Sequence, residues 1–253
     1  MNITDKAKQN YDKYLNNHKS ILESNDPEFA EVFRNFAFDE VLEKSTLDDR
    51  QTILVILTAL VTNQSLNTFK IIVEAAIDMG ISPVEIKEVI YQTTPYVGIS
   101  KSYDFLEEVN YIFDEKGVSA QQPGQSTTTR KNRKEEGLKK QYEYFGVDLI
   151  NQMIDNAPQG QEHFNDFLAG YCFGDFYTRT GLDDADRELI TFVMLVSLRG
   201  CENQLRAHTQ ANLTVGNTKE TLVSAITVLV PINGFPRTIN ALAIVNEICD
   251  NQE

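Results

Sequence analysis

The 253-residue chain has little that would tie it to a membrane, a metal or an oxidising compartment. It has no run of about eighteen apolar residues, so no membrane span is expected. The opening Met1-Asn2-Ile3-Thr4-Asp5-Lys6 is polar and no apolar segment of signal-peptide type follows it, so no export signal is expected. Three cysteines, Cys172, Cys201 and Cys249, lie far apart; so sparse and odd a count argues against a disulfide framework and for a reducing cytoplasm. Three scattered histidines do not make a metal site, and no cofactor is implied. Positive charge is also short, with 23 Lys and Arg against 37 Asp and Glu, for a net charge of -14. An acidic surface repels phosphate backbones and anionic membranes, so neither nucleic acid nor membrane is an expected partner. Hydrophobic residues make up 42% of the chain, enough for a real core.

Internal repetition sets the architecture. Gly80-Ile81-Ser82 pairs with Gly216-Asn217-Thr218, and Pro95-Tyr96-Val97-Gly98 with Pro231-Ile232-Asn233-Gly234, at a spacing of 136 residues. Leu106, Val109 and Asn110 pair with Leu242, Val245 and Asn246 at the same spacing. Upstream, Phe29, Phe38 and Leu47 pair with Phe164, Phe173 and Leu182 at 135, so a small insertion separates the blocks. The reading is two tandem modules, 1–117 and 131–253, joined by 118–130. That joint contains Gln121-Gln122-Pro123-Gly124 and Ser126-Thr127-Thr128-Thr129 and reads as a flexible linker.

Both modules read as helical, giving an all-α fold. Asp48 to Gln51 has the spacing of a capping box, and Ser82-Pro83-Val84-Glu85 is a fuller one with proline in the first helical position. In the second module Asp183 opens a helix that Gly200 interrupts. A further helix runs from about Glu202 to Val215 and stops at Gly216. Thr218 caps the next, which Pro231 should end, and Pro236 opens the last. Runs such as Ile53-Leu54-Val55-Ile56-Leu57 could be strands on periodicity alone, but capped context and the lack of hairpin turns favour buried helices.

Laying one module on the other locates candidate chemistry. Gly200-Cys201-Glu202-Asn203-Gln204-Leu205-Arg206-Ala207-His208 stands where the first module has Gln64-Ser65-Leu66-Asn67-Thr68-Phe69-Lys70-Ile71-Ile72. Cys201 therefore faces Ser65, Glu202 faces Leu66, Gln204 faces Thr68 and His208 faces Ile72. Upstream, Glu188 is set opposite Gln51. The first module keeps the fold pattern without the titratable set, which suggests one working site and one structural partner. His208 follows Gln204 by four residues and Cys201 by seven, placing all three on one helical face. Histidine titrates near neutral pH, which suits general acid or base work, whereas Ile72 at the same place points to an apolar interior. Cys201 after a glycine at a helix N-terminus is a site where backbone dipoles favour thiolate. Glu188, near the start of the preceding helix, fits a helix dipole as well as it fits catalysis. Arg206, Arg199 and Arg237 could hold an anionic substrate.

Arg187-Glu188-Leu189-Ile190, then Gly200-Cys201-Glu202-x-Gln204-Leu205-Arg206-x-His208, Gly216, and Gly234-Phe235-Pro236-x-x-x-Asn240-Ala241-Leu242 resemble the carboxymuconolactone decarboxylase family, within the alkylhydroperoxidase D-like superfamily. The resemblance implies helical modules that assemble into rings; a tandem chain would form a homo-oligomer, a trimer making a pseudo-hexameric ring. It also implies decarboxylases of a lactone carboxylic acid, or thiol peroxidases with Cys-x-x-Cys-x-x-x-His and an upstream glutamate. Here Gln204 stands in the second cysteine position, so a two-cysteine cycle is not expected. Glu188 lies one residue further from His208 than that relay has it, and a bulge near Arg199-Gly200 could absorb the extra residue.

Three functions follow as expectations. The first is a decarboxylase-like enzyme with His208 as general acid or base, Glu188 or Glu202 tuning it, and Arg206, Gln204 and Glu202 around an anionic small molecule. The second is a one-cysteine peroxidase through Cys201. The third is a structural or interaction protein that kept only the fold.

Overall fold

A computed structural model of the chain describes residues 2–15 and 18–250. Among these residues every regular element is helical. The first repeat comprises α1 (Asp5–Tyr14), α2 (Leu22–Asn25) and α3 (Pro27–Asn35). From α3 the chain winds through a π-helical stretch, Phe36–Glu40, into α4 (Val41–Glu43). Then come α5 (Asp49–Thr62), α6 (Leu66–Asp78), α7 (Pro83–Val97) and α8 (Ile99–Glu115). The second repeat comprises α9 (Arg133–Phe145), α10 (Val147–Asp155) and α11 (His163–Phe167), the last continuing into a π-helical stretch, Leu168–Tyr177. It finishes with α12 (Asp184–Ser197), α13 (Glu202–Thr214), α14 (Lys219–Asn233) and α15 (Phe235–Asp250). No described helix is long and apolar enough to cross a membrane.

The caps fix the register between repeats. Asp48 and Asp183 are both N-caps whose carboxylates accept from the third backbone N–H of α5 and α12, so these helices correspond at 135. Ser82 and Thr218 cap α7 and α14 in the same way, at 136. The extra residue therefore lies in the connection before α13, where 198–201 replace 63–65. Gly200 there adopts the left-handed conformation, φ 72°. This register corrects the overlay at one point: Glu188 corresponds to Ile53, not Gln51, because the Asp48 and Asp183 caps align and Arg50 and Arg187 do not.

Pro231 does not end its helix. It sits in the last turn of α14, as Pro95 does in α7; each helix closes at a glycine, with Gly234 N–H donating to Val230 O and Gly98 N–H to Thr94 O, both at 2.9 Å. A proline so near the C-terminus forfeits one backbone bond and the two turns before it are unaffected. The joint between repeats is a strap, not a free linker. Thr127 Oγ1 donates to Thr178 O (2.7 Å), Thr128 Oγ1 to Gly174 O (2.8 Å), and Thr180 N–H to Gln125 O (2.9 Å). Its threonines supply bonds that a composition-based reading cannot place.

The two cores interpenetrate. α5 and α12 pack against each other, and α14 packs on α5 while α7 packs on α12. Val55 and Ala59 of α5 belong to the apolar cluster around Phe192 and Leu229, and Leu182 and Ile190 belong to the cluster around Ile53 and Phe69. In the second repeat α9 lies backbone to backbone on the π-helical stretch. A Cβ at Gly137 would fall 1.8 Å from Ala169 O, and one at Gly174 would fall 2.0 Å from Arg133 O.

Candidate active site

Glu188 lies one turn into α12 and His208 in the middle of α13, and the packing of these helices brings them together. His208 Nδ1 is 2.8 Å from Glu188 Oε2, with Glu188 fully buried and His208 only 7% exposed. The insertion before α13 is taken up in the loop and leaves the pair in register. Asn212, one turn after His208, clamps both helices: its Nδ2 donates to Glu188 O (2.9 Å) and His208 O (2.7 Å). Asn217 Nδ2 in turn donates to Asn212 Oδ1 and Ala185 O, both at 2.8 Å. At the corresponding places the first repeat has Ile53, Ile72, Ala76 and Ile81, all within its apolar cluster. The two repeats thus differ by a whole polar unit at this place, and Ile72 faces the interior as its sequence position suggested.

Nδ1 is engaged by Glu188, and among the described residues no protein group bonds Nε2. Nε2 is thus the nitrogen free to exchange a proton. Glu188 Oε1 is buried without a protein partner. Buried polar atoms are nearly always satisfied, so such an atom marks a place for water or a guest.

Aromatic rings wall the imidazole. The Phe145 ring stands edge-on with centroids 5.2 Å apart, and Tyr96 of the first repeat lies at 6.0 Å. Tyr96 and Tyr177 share a hydrogen bond of 2.6 Å between hydroxyls, and Tyr177 reaches Thr191 Oγ1 at 2.8 Å. Burial, with the Glu188 carboxylate as a negative neighbour, raises the Tyr96 hydroxyl well above its ordinary value, and burial and Glu188 do the same to Tyr177. Both stay protonated donors. Burial pushes the Cys172 thiol up to about 12, which makes it inert. The Tyr96 contribution was missed in sequence because only residues absent from the first repeat were sought. The same overlay sets Tyr96 opposite Ile232, and reading it in both directions would have found the ring.

A second polar group lies behind this wall. Glu88 of α7 accepts from Arg179 Nε (3.0 Å) and Nη2 (2.7 Å) and from Arg187 Nη2 (3.0 Å). Arg187 Nη1 also donates to Gln92 Oε1 (3.0 Å), and its Nη2 to the carbonyls of Arg179 and Thr180 (2.9 Å each). This inter-repeat cluster was not found in the sequence.

The other predicted residues sit elsewhere. Cys201 is the N-cap of α13, outside the helix, so it does not share a helical face with His208; its Sγ lies 3.6 Å from Arg199 O. It lines a cavity of about 350 Å³ with Arg199, Glu202, Asn233, Arg237 and Asn240, and His208 is not among the lining residues. Burial and the Glu202 carboxylate raise the Cys201 thiol, the opposite of thiolate activation. Gln204 and Glu202 are exposed. Arg206 is held at the surface by Glu247, Nε at 3.1 Å and Nη2 at 2.9 Å. Arg237 donates to Asn63 Oδ1 (3.0 Å) and to the Ser197 carbonyl.

Comparison with known proteins gives the family through its profile, and a relative and a solved structure of similar sequence or fold beside it. The carboxymuconolactone decarboxylase profile matches twice, at 27–110 and 162–247. The 4-carboxymuconolactone decarboxylase of Acinetobacter baylyi is 28% identical over 116 residues, which is 46% of this chain and 86% of that protein. A crystal structure described as a candidate gamma-carboxymuconolactone decarboxylase subunit from Burkholderia xenovorans LB400 shares the fold along 98% of this chain and 97% of its own, with a TM-score of 0.58 at 15% identity. With the profile matched in both repeats, and with the polar unit present in only one of them, this chain belongs to the carboxymuconolactone decarboxylase family.

Proposed function

We propose that the second repeat performs decarboxylase-type acid–base chemistry on an anionic small molecule, with His208 Nε2 as the proton-transfer atom. The buried 2.8 Å contact between His208 and Glu188 carries this reading. A buried carboxylate on Nδ1 fixes the tautomer and the ring orientation, which leaves Nε2 as the nitrogen that meets the substrate. The relative from Acinetobacter baylyi supplies the substrate class, a lactone carboxylate. In such a reaction the bond from carbon to the carboxylate breaks and CO₂ leaves. The electron pair stays on carbon, delocalised into the lactone carbonyl. His208 then delivers its Nε2 proton to that carbon and regains one from solvent.

The assembly reading is carried by exposed apolar side chains. Phe164, Phe167, Val147 and Leu149 in the second repeat, and Phe29 and Val32 in the first, are each at least half exposed. Patches of this kind mark interaction surfaces. We assign them to contacts between chains, three of which would close a ring of six repeats.

Turnover of a lactone carboxylic acid, followed as CO₂ release, tests the chemistry. His208→Gln should lower the rate about 10²–10⁴-fold, the usual contribution of a positioned acid or base. Glu188→Gln should lower it by less. Unchanged turnover in His208→Gln overturns the assignment. The one-cysteine peroxidase reading loses support from the raised Cys201 thiol; alkylation of Cys201 at an ordinary thiol's rate across pH 5 to 9 would close it. The non-enzymatic reading draws on the burial of His208, but it leaves the unpartnered Glu188 Oε1 without a purpose.

A further inference from the structure

We propose that the first repeat holds a second binding site, independent of His208 chemistry, for an uncharged and largely apolar small molecule. The counterpart of the His208 region there is a cavity of about 430 Å³, with Ile72 in its wall. The overlay explains the space. Leu42 stands where the second repeat has Tyr177, at 135, and Ile232 where the first has Tyr96, at 136; Leu15 follows Tyr14 in this lining as Phe145 follows Tyr144 beside His208. All three smaller residues line the cavity. At the Tyr177 and Tyr96 positions, smaller side chains replace the rings that stand round the imidazole in the other half. Because Ile232, Val228 and Pro231 come from α14, the occupant would touch both repeats.

The polar edge sets the ligand class. Arg34 is the one permanently charged side chain among the described lining residues. It is paired with Glu23, and its guanidinium stacks 3.6 Å over the Tyr11 ring. The Tyr14 hydroxyl donates to Asp49 at 2.7 Å. No lining residue leaves a buried side-chain polar atom without a partner, in contrast with Glu188. An anionic guest would meet an arginine already neutralised by Glu23, and the other polar side chains, His18, Ser20, Ser65 and Thr68, lie along a lining that is otherwise mostly apolar. A neutral aromatic or alicyclic molecule meets apolar surface on nearly every side. The volume falls within the roughly 300–1,000 Å³ of ligand pockets. Protein interiors otherwise leave few voids larger than a water molecule, and apolar voids hold water poorly.

The neutral fluorophore N-phenyl-1-naphthylamine provides the test, helped by the absence of tryptophan from the chain. The full chain should bind one equivalent saturably, with naphthalene competing and 1-naphthoate failing to. Leu42→Tyr combined with Ile232→Tyr installs the pair that hydrogen-bonds in the second repeat, and should weaken probe binding at least tenfold while the melting temperature holds or rises. Should that pair fail to fold, Leu15→Phe fills the cavity from the opposite wall and should give the same loss. His208→Gln should leave probe binding unchanged, which separates this site from the proposed catalytic one. Absence of saturable binding overturns the proposal. So does binding that survives both filled variants, or binding that disappears in His208→Gln. Competition by 1-naphthoate as strong as that by naphthalene overturns the uncharged class.

Discussion

Replacing Glu88 with alanine should destabilise the whole chain, because it leaves two guanidinium groups of the second repeat without the carboxylate that they share across the repeat boundary. Glu88 and Arg187 are 1% and 0% exposed, and their closest approach is 3.0 Å. At an effective dielectric constant of about 20, a pair at that distance attracts by ~5.5 kcal/mol before desolvation is counted. Measured losses on removing one partner of a buried pair run at about 3–5 kcal/mol, because the stranded charge dominates. For a chain of this length that corresponds to a fall in melting temperature of roughly 6–20 °C. Arg179 has a way out, its side chain being 18% exposed, whereas Arg187 has none. The companion variant is therefore Glu88→Leu with Arg187→Met, which removes both charges and should recover at least half of the loss. Differential scanning calorimetry on the wild type, both single changes and the double change gives the coupling directly. A Glu88→Ala protein melting within about 2 °C of wild type, less than the shift expected from 1 kcal/mol, would refute the reasoning.

Two further outcomes are expected. Burial pushes the Glu85 carboxyl up, but hydrogen bonds from Ser82 and Arg50 outweigh it and hold the group below its ordinary value. Its stabilisation is thus complete above the unfolded value near pH 4.3 and is lost as pH falls through the native one. Glu85→Gln should lower the urea midpoint at pH 7 and flatten its decline between about pH 5 and 3; an unaltered slope counts against the assignment. Gly174→Ala would drive a Cβ into the Arg133 carbonyl at 2.0 Å and should cost at least ~1–3 kcal/mol through overpacking. Gly170→Ala is the control, since a Cβ there meets only the Arg133 and Lys134 side chains at 3.7 Å or more, and its melting curve should stay near wild type.

What could be read without coordinates was what depends on neighbours in sequence. The caps at Asp48, Ser82, Asp183 and Thr218 and the breaks at Gly200 and Gly216 are local chemistry, and the structure has each where expected. For His208 the sequence offered Glu188 or Glu202 as a partner, and the packing of α12 on α13 is what selects Glu188. Tertiary contacts were hidden. Nothing within α13 says that Arg206 turns to Glu247 on α15, or that Cys201 opens into a different cavity. Glu88 and Arg187 are 99 residues apart, and each alone reads as a solvated helix charge. Pro231 misled because its effect depends on how many turns remain before the Gly234 stop. The assignment of Gln51 opposite Glu188 failed because it matched charges where the N-caps should have set the register.

Helices α7 and α14 each reach into the other half, so selection acts on the two repeats jointly. The first repeat has isoleucines in place of the ionisable pair, yet that repeat cannot be discarded. It supplies Tyr96 to the imidazole wall and Glu88 to Arg187, and it shares its core with α12. A gene fragment encoding either half by itself would yield a product with a torn apolar flank. The surviving freedom lies in the walls of the first cavity, where substitutions can alter what is held there without disturbing the glutamate and histidine across the boundary.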